Sequence, residues 1–274
     1  MGRPEFNPFN PEFRAHPYPF YEELRNTEPV HVTAFGMVVL TRYEDVSTTL
    51  KSSDFSRDIE KYSTQATTEA RQRRREMQRE RTKSILNLDP PDHTRLRRIV
   101  SKSFTPSAME KLRGRIEQLV NAALDHAQER GSIELIDDLA FPVPFQVISD
   151  LLNMPTERTE EMREWSQIIT NSLEPTATDE ELEQSDAAFA QLVPYLTSII
   201  EERRRNLGQD LLSSLITAEE AGDKMTTDEL MAFLVLLYIA GHETTVNLIG
   251  NSTLALLRHP DQAAIVHQHG LSSQ

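Results

Sequence analysis

A cluster of chemically capable side chains lies in the most apolar part of the chain. The hexapeptide at residues 240–245 reads Ala-Gly-His-Glu-Thr-Thr, and an uncharged run over residues 230–241 leads into it. A buried carboxylate without a partner is costly, so Glu243 indicates a functional role. Glu243 and Thr244 together can pass protons. Gly241 lacks a side chain, so a flat group can approach the helix there.

Three interpretations of the hexapeptide compete. A zinc protease helix needs a second histidine four residues after the first. Val246 occupies that position after His242, so zinc is excluded and no metal ligand is assigned. The simplest alternative is a buried helix whose hydroxyls bond to carbonyls one turn earlier. The functional alternative is a helix kinked over a cofactor. The residues alone leave these last two interpretations open.

The hexapeptide is predicted to lie in one long helix over residues 227–259. Thr226 and Glu229 have the spacing of a capping box, and acidic groups suit a helix N-terminus. Pro260 ends the pattern. Such a helix is about 50 Å long, enough to cross a domain. Its charge-free part is shorter than the ~20 residues of a membrane span, which favours a buried core helix.

A second motif begins at Pro90 and Pro91, which predict an extended approach to a helix capped by Asp92. His93 and Arg97 are four residues apart and therefore share one face of that helix. An imidazole and a guanidinium at a helix start make an anion clamp, with arginine as a two-pronged donor. The alternative is a solvated basic face.

Together the two motifs resemble those of cytochrome P450s. The hexapeptide matches the small–Gly–any–acid–Thr–Thr/Ser pattern of their oxygen-binding helix, and the second motif resembles the helix whose histidine and arginine bind the haem propionates in bacterial members. The resemblance implies three pairs of site residues: His93 and Arg97 for haem b, Ala240 and Gly241 for dioxygen space, and Glu243 and Thr244 for proton delivery.

The resemblance also implies an activity and partners. The activity is a haem-thiolate monooxygenase that inserts one oxygen atom of O2 into a small organic substrate, with electrons from a ferredoxin-type partner. Arg95, Arg98 and Lys102 are expected to face away from haem, towards an acidic redox partner. The basic stretch 69–83 is either a solvated helix with Arg–Glu pairs or a landing site for a carrier-bound or anionic substrate.

The resemblance covers essentially the whole chain and implies a mainly α fold with a small β-sheet near the N-terminus. A single domain over residues 1–274 is expected, without a linker. The predicted segments are an extended stretch at 4–13, helices at 17–25, 107–130, 156–173, 179–206 and 210–216, a helix opening at Tyr43, and a hairpin at 31–41 turning at Phe35-Gly36.

The sequence contains no cysteine, whereas a P450 needs a cysteine thiolate on its iron. In the family this cysteine follows the oxygen-binding helix, as does a Glu-x-x-Arg helix pair. The chain is therefore predicted to be an incomplete P450 fold, truncated before the cysteine loop, with an exposed apolar patch that promotes self-association. The alternative function is a non-catalytic P450 homologue that acts as a helper or scaffold. The intact acid–threonine pair favours catalytic ancestry.

Composition narrows the function classes. The chain has 274 residues with 38% hydrophobic content, ample for a large core. Its net charge of -14 argues against general nucleic-acid binding. It shows no signal peptide and no predicted transmembrane segment, so a cytoplasmic protein without a membrane partner is expected.

Overall fold

The fold is mainly α-helical, as predicted. The computed structural model describes residues 6–33, 36–58, 61, 76, 83–174, 176–220 and 223–269. A 3-10 turn spans Ile85–Asn87 and a π-helix spans Leu135–Ala140. The α-helices in these ranges are α1 Pro11–Ala15, α2 Pro17–Thr27, α3 Tyr43–Lys51, α4 Asp92–Ser101, α5 Pro106–Glu110, α6 Arg113–Arg130, α7 Pro142–Leu152, α8 Thr159–Asn171, α9 Asp179–Arg205, α10 Leu211–Thr217, α11 Thr227–Arg258 and α12 Pro260–His269.

The predicted N-terminal hairpin is present. Strands β1 Val30–Val32 and β2 Val38–Leu40 pair antiparallel, and the turn between them contains Gly36 at a φ of 82°. A positive φ is the conformation that glycine adopts without steric cost. Phe35, the other predicted turn residue, lies outside the described residues. A second short pair, β3 Glu219–Glu220 and β4 Asp223–Lys224, precedes α11 and has no counterpart in the sequence predictions.

Helix ends follow the local signals in the sequence. The predicted capping box at Thr226 and Glu229 is formed at the start of α11, and Gly131 ends α6 in the left-handed conformation at a φ of 73°. Both devices satisfy backbone groups that a helix terminus leaves without partners. A further capping box, between Thr178 and Glu181, starts α9.

Three local predictions are wrong. The stretch predicted as extended contains α1, because the Asn10 side chain accepts a hydrogen bond from the Glu12 amide at 2.9 Å and Pro11 occupies the first helical position. The helix predicted over 107–130 is divided into α5 and α6, with no side-chain cap at the break. Pro91 is helical rather than extended, and Asp92 is the first residue of α4 and makes no capping bond. Because Asp92 lies one position past the cap, its negative charge can only interact favourably with the helix dipole.

The core lies where α7, α8, α9 and the first half of α11 meet. Its fully buried side chains include Leu152, Ile169, Leu192, Leu196 and Leu234. Full burial of a leucine or isoleucine side chain contributes about 1.5–3 kcal/mol relative to exposure. This layer is the rigid support on which the hexapeptide rests.

The two halves of α11 differ in burial. Leu230 and Leu234 are buried, whereas Leu248 is 64% exposed and Leu257 is 76% exposed. No described element covers the side chains of the second half, so this part of α11 carries the exposed apolar side chains that were expected of an incomplete fold.

One helix in the described part of the chain, α11, is long and apolar enough by composition to cross a bilayer. One such helix is weak evidence for a membrane span, because the core helix of a soluble protein has the same composition.

Candidate functional site: two helices with outward-facing polar groups

The hexapeptide in α11 divides its side chains between two faces. His242 is fully buried, whereas Ala240 and Thr244 are exposed and Glu243 is half-buried. Residues two positions apart on a helix differ in direction by about 200°, which explains why His242 opposes Ala240 and Thr244. The sequence analysis expected the carboxylate to be the buried ionisable group. The structure corrects this expectation: the buried group is the imidazole.

His242 is enclosed by the aromatic rings of Phe141, which precedes α7, and Phe145, which lies within α7. Its ring lies edge-to-face with Phe141 at 5.1 Å and Phe145 at 5.6 Å between centroids. Nδ1 is hydrogen-bonded to the carbonyl oxygen of Tyr238, which only accepts, so Nδ1 carries the proton. Nε2 is buried without a hydrogen-bond partner. Burial lowers the pKa of His242 below its usual value, because the charged form loses hydration. His242 is therefore a neutral packing group.

Tyr238 adds a buried polar contact between the same two helices. Its hydroxyl lies 3.2 Å from Ser149 Oγ, which donates to the Phe145 carbonyl oxygen at 3.0 Å. The Tyr238 hydroxyl is then the donor to Ser149. Burial raises the pKa of Tyr238, so the phenol stays protonated. These contacts fix the rotation of α11 about its axis relative to α7.

Gly241 allows the close approach of these helices. A Cβ atom at this position would lie 2.5 Å from Ile148 Cδ1, below any normal contact distance. Packing therefore explains the glycine at this position in the structure, because the absence of a side chain lets α7 approach α11 closely. Its predicted role in making space for dioxygen, together with Ala240, stays a prediction.

The outward face of the hexapeptide is held by bonds within the helix. Thr244 Oγ1 donates to the Ala240 carbonyl oxygen at 3.0 Å, the back-bonding that the simplest interpretation expected. Glu243 Oε1 accepts a hydrogen bond from Asn247 Nδ2 at 3.3 Å. Asn247 was missed by the sequence analysis, although its position four residues after Glu243 was a signal.

The anion clamp predicted on α4 has the expected side-chain placement. His93 is half-buried and Arg97 is exposed, while Leu96, Ile99 and Val100 turn towards the core. In the ranges that the structure describes, no carboxylate pairs with either clamp residue. An imidazole and a guanidinium on one face, free of internal anions, fit a ligand with two carboxylates such as haem.

Arg95 was expected to face a redox partner, but the structure pairs it with an acidic residue of the same chain. Arg95 Nη2 forms an ion pair with Glu229 Oε1, the acidic residue of the α11 capping box. Partial burial acts to raise the pKa of Glu229, but the hydrogen bonds from Arg95 and the Thr226 amide hold it below its usual value. Sequence analysis missed the pair because 134 positions separate the two residues. Arg98, in contrast, is exposed.

A polar cluster centred on Asp89 ties another segment to the start of α4. Asp89 accepts hydrogen bonds from Ser56 Oγ at 2.5 Å, from the Arg57 amide at 2.8 Å and from Lys61 Nζ at 2.8 Å. These hydrogen bonds hold the pKa of Asp89 well below its usual range. The predicted basic stretch 69–83 lies outside the described residues except at Glu76 and Lys83.

Comparison with known proteins identifies the family of this chain. The family model described as Cytochrome P450 matches residues 22–269. Cytochrome P450 107B1 of Saccharopolyspora erythraea is 39% identical over 269 residues, which cover 95% of this chain and 64% of that protein. Cytochrome P450 monooxygenase PikC of Streptomyces venezuelae is 36% identical over 260 residues, covering 92% of this chain and 59% of that protein. This chain thus spans less than two thirds of the length of these relatives.

Solved structures show the same fold. P450BioI in complex with hexadec-9Z-enoic acid ligated acyl carrier protein superposes with a TM-score of 0.82 at 31% identity, over 94% of this chain and 66% of that chain. Identity above 30% across nearly all of this chain, with a family model that covers most of it, leaves no ambiguity about ancestry. The chain belongs to the cytochrome P450 family.

Proposed function

We propose that residues 1–274 form the haem-contacting and proton-delivering part of a haem-thiolate monooxygenase that inserts one oxygen atom of O2 into a small organic substrate. The observation that carries the proposal is that two helices joined by an ion pair each turn candidate site residues away from the core. The His93–Arg97 face lies on α4, and the Glu243–Thr244 face lies on α11, which an ion pair joins to α4. The hexapeptide begins about 16 Å along α11 from that ion pair.

His93 and Arg97 hold the haem propionates in this proposal. Arg97 supplies a forked pair of donors from the middle of α4, and His93 supplies a further N–H from its first turn, where the helix dipole favours negative charge. The haem supplies dioxygen activation and oxygen transfer when it is bound. The 274 residues contain no cysteine, so the proposal places the thiolate ligand outside them.

Glu243 and Thr244 deliver protons from solvent to the haem side of α11 in this proposal. The Thr244 hydroxyl donates its hydrogen bond to the Ala240 carbonyl oxygen at 3.0 Å. Rotation about its χ1 bond lets the same hydroxyl donate into the open space beside Ala240. Glu243 is half-buried and keeps access to water, so its carboxylate can resupply that proton from solvent. Asn247 holds one oxygen of this carboxylate along the helix.

Electrons come from a ferredoxin-type partner in this proposal. Arg98 is exposed and can contact the acidic surface of that partner. A carrier-bound substrate is supported by the structure of the related P450BioI with an acyl carrier protein. We also propose a cytoplasmic location, which the similarity to bacterial P450s supports.

Haemin titration of the 274-residue protein, followed by absorbance, tests the clamp. Charge-assisted hydrogen bonds contribute about 1.5–3 kcal/mol. We therefore expect His93→Ala and Arg97→Ala each to weaken haemin binding by roughly tenfold or more. Arg98→Ala is the matched control, since Arg98 is exposed on the same helix but turned about 100° away from Arg97. This variant should bind within about twofold of the parent protein.

Equal losses in all three variants would contradict the clamp. Failure of the parent protein to bind haemin would favour the non-catalytic helper instead. The reduced, carbon-monoxide-bound spectrum adds a second test, because a thiolate-type Soret band from this cysteine-free chain requires a cysteine supplied in trans.

We further propose that the protein self-associates through the exposed apolar side chains of α11. Leu248, Leu254 and Leu257 are exposed on its second half, and exposed apolar side chains of this kind favour association. Sedimentation should detect oligomers, and Leu248→Gln with Leu257→Gln should reduce them. A monodisperse monomer with a single cooperative melting transition would contradict the proposal.

A further inference from the structure

We infer that Arg95 is a positioning residue that fixes the direction of the His93–Arg97 clamp by bonding α4 to the first turn of α11. The inference rests on the proposed function, since it concerns the orientation of the proposed haem clamp. The sequence analysis gave Arg95 the role of a contact for a redox partner, and the ion pair with Glu229 replaces that role.

The placement of Arg95 on α4 makes it suited to this task. Arg95 is two positions from His93 and two positions from Arg97, so it projects about 200° away from each of them. The ion pair therefore holds the rear of the helix, and the clamp occupies the front. A rotation of α4 about its axis would break the ion pair and turn both clamp side chains together.

Glu229 is itself held rigidly. One carboxylate oxygen, Oε2, accepts from the Thr226 amide at 2.8 Å, and the other oxygen, Oε1, binds Arg95. The Glu229 amide donates to Thr226 Oγ1 at 3.1 Å. The side chains of Arg95 and Glu229 are 28% and 13% exposed, so salt screens this pair less than a surface pair.

A second contact joins the same two regions and shows what the ion pair adds. Phe104, just past the end of α4, lies edge-to-face with Phe233 of α11 at 6.3 Å. Phe233 is one helical turn beyond Glu229. Apolar contacts of this kind and the burial of Leu96 hold α4 against the core, but they are not directional. The ion pair has a defined geometry and therefore selects the rotation of α4.

Two variants separate the ion pair from the capping box. Glu229→Gln removes the charge that faces Arg95 but keeps a residue that capping boxes accept at this position. Thr226→Ala is the matched control, because it removes the hydroxyl of the capping box and leaves the Arg95–Glu229 pair in place. Arg95→Gln breaks the pair from the other side, and Arg95→Lys keeps its charge.

Hydrogen exchange of the α4 amides, measured without haemin, reports on the order of this helix. We expect Glu229→Gln and Arg95→Gln to speed exchange across α4 by roughly three- to tenfold, the size of a partly buried ion pair. Thr226→Ala should speed exchange only in the first turn of α11. The double variant Arg95→Gln/Glu229→Gln should resemble either single variant, because both remove the same interaction.

Haemin affinity, measured well below the melting temperature, is the readout that a merely stabilising role would not move. We expect Glu229→Gln and Arg95→Gln to weaken haemin binding by roughly three- to tenfold, and Arg95→Lys to restore it. If both variants lower the melting temperature but leave α4 exchange and haemin affinity unchanged, the inference is overturned. If the parent protein binds no haemin, the proposed function fails, and α4 exchange still decides whether Arg95 orders the helix.

Discussion

Helices α4 and α11 have the same design but different anchors. Each carries two proposed site residues four positions apart on one face and turns the residue midway between them away from that face. In α4 the midway residue is Arg95, and its anchor is an ion pair with Glu229. In α11 the midway residue is His242, and its anchor is a buried aromatic pocket that includes Phe145.

This difference has energetic and functional consequences. A partly exposed ion pair contributes modestly to stability but is directional, so it suits a helix whose side chains must point at a charged ligand. A buried aromatic cluster contributes several kcal/mol and is weakly directional, so it suits a helix that supports the core. The close packing at Gly241 and the Tyr238–Ser149 contact then supply the direction that the aromatic rings lack.

The largest expected effect is the loss of the aromatic anchor. Phe145 is buried against both His242 and Tyr238, and Phe145→Ala should lower the free energy of unfolding by about 3–5 kcal/mol. Urea unfolding measures this change. Phe55 is 60% exposed, so Phe55→Ala should stay within about 0.5 kcal/mol of the parent protein. If Glu229→Gln costs as much as Phe145→Ala, the two anchors do not differ as described.

An intermediate effect is expected where α7 meets Gly241. Gly241→Ala puts a methyl group 2.5 Å from Ile148 Cδ1, and overpacking costs about 1–3 kcal/mol. The higher helix propensity of alanine offsets about 1 kcal/mol. We therefore expect a net loss of up to about 2 kcal/mol in urea unfolding.

Two further variants test that explanation for Gly241. Ile148→Val removes the Cδ1 atom, so adding Gly241→Ala to it should stabilise rather than destabilise. Gly114, in α6, has no atom within 4 Å of its Cβ position, so Gly114→Ala should stabilise by up to about 1 kcal/mol. Destabilisation by Gly241→Ala that persists in the Ile148→Val background would contradict the packing explanation.

The smallest expected effect is a pH dependence confined to the α11 anchor. Burial lowers the pKa of His242, so the unfolded chain takes up a proton more readily than the folded protein. The stability from neutral His242 is full above about pH 6.5 and falls below it, by at most about 1.4 kcal/mol per pH unit.

Urea unfolding between pH 5 and 8 measures this slope, and His242→Phe should reduce it. His126 is 82% exposed, so His126→Phe should leave the slope unchanged. The α4 anchor should instead depend on salt, because raised salt weakens the Arg95–Glu229 ion pair but does not weaken the aromatic contacts of the α11 anchor. An unchanged slope in His242→Phe would mean that His242 is not the titrating group.

Local features of the site were largely predictable. The spacing of Thr226 and Glu229 predicted the start of α11, and the interval between His93 and Arg97 predicted a shared face that the structure shows. These are relations within a few positions of one helix, where geometry follows from 1.5 Å per residue and 100° per step. The family resemblance rested on the same short motifs.

Contacts across the fold were not predictable from the same patterns. The sequence pattern predicts Glu243 inside the core and Arg95 at a partner surface, but Glu243 is only half-buried and Arg95 is ion-paired within the chain. Nor does the pattern indicate the cluster that Ser56 forms with Asp89. A helical sequence shows which side chains share a face, but an apolar helix such as α11 has no strongly polar side to reveal which face turns inward.

The sequence by itself determined most of the helices, the capping box of α11, the family resemblance and the side chains that share each outward face. These properties depend on interactions between near neighbours in the chain, which act whatever surrounds the helix. Only the tertiary structure decided that His242 rather than Glu243 is buried, that Gly241 admits Ile148, and that Arg95 binds a residue 134 positions away. Burial and ion pairing depend on which surfaces meet, and that is a property of the packed fold.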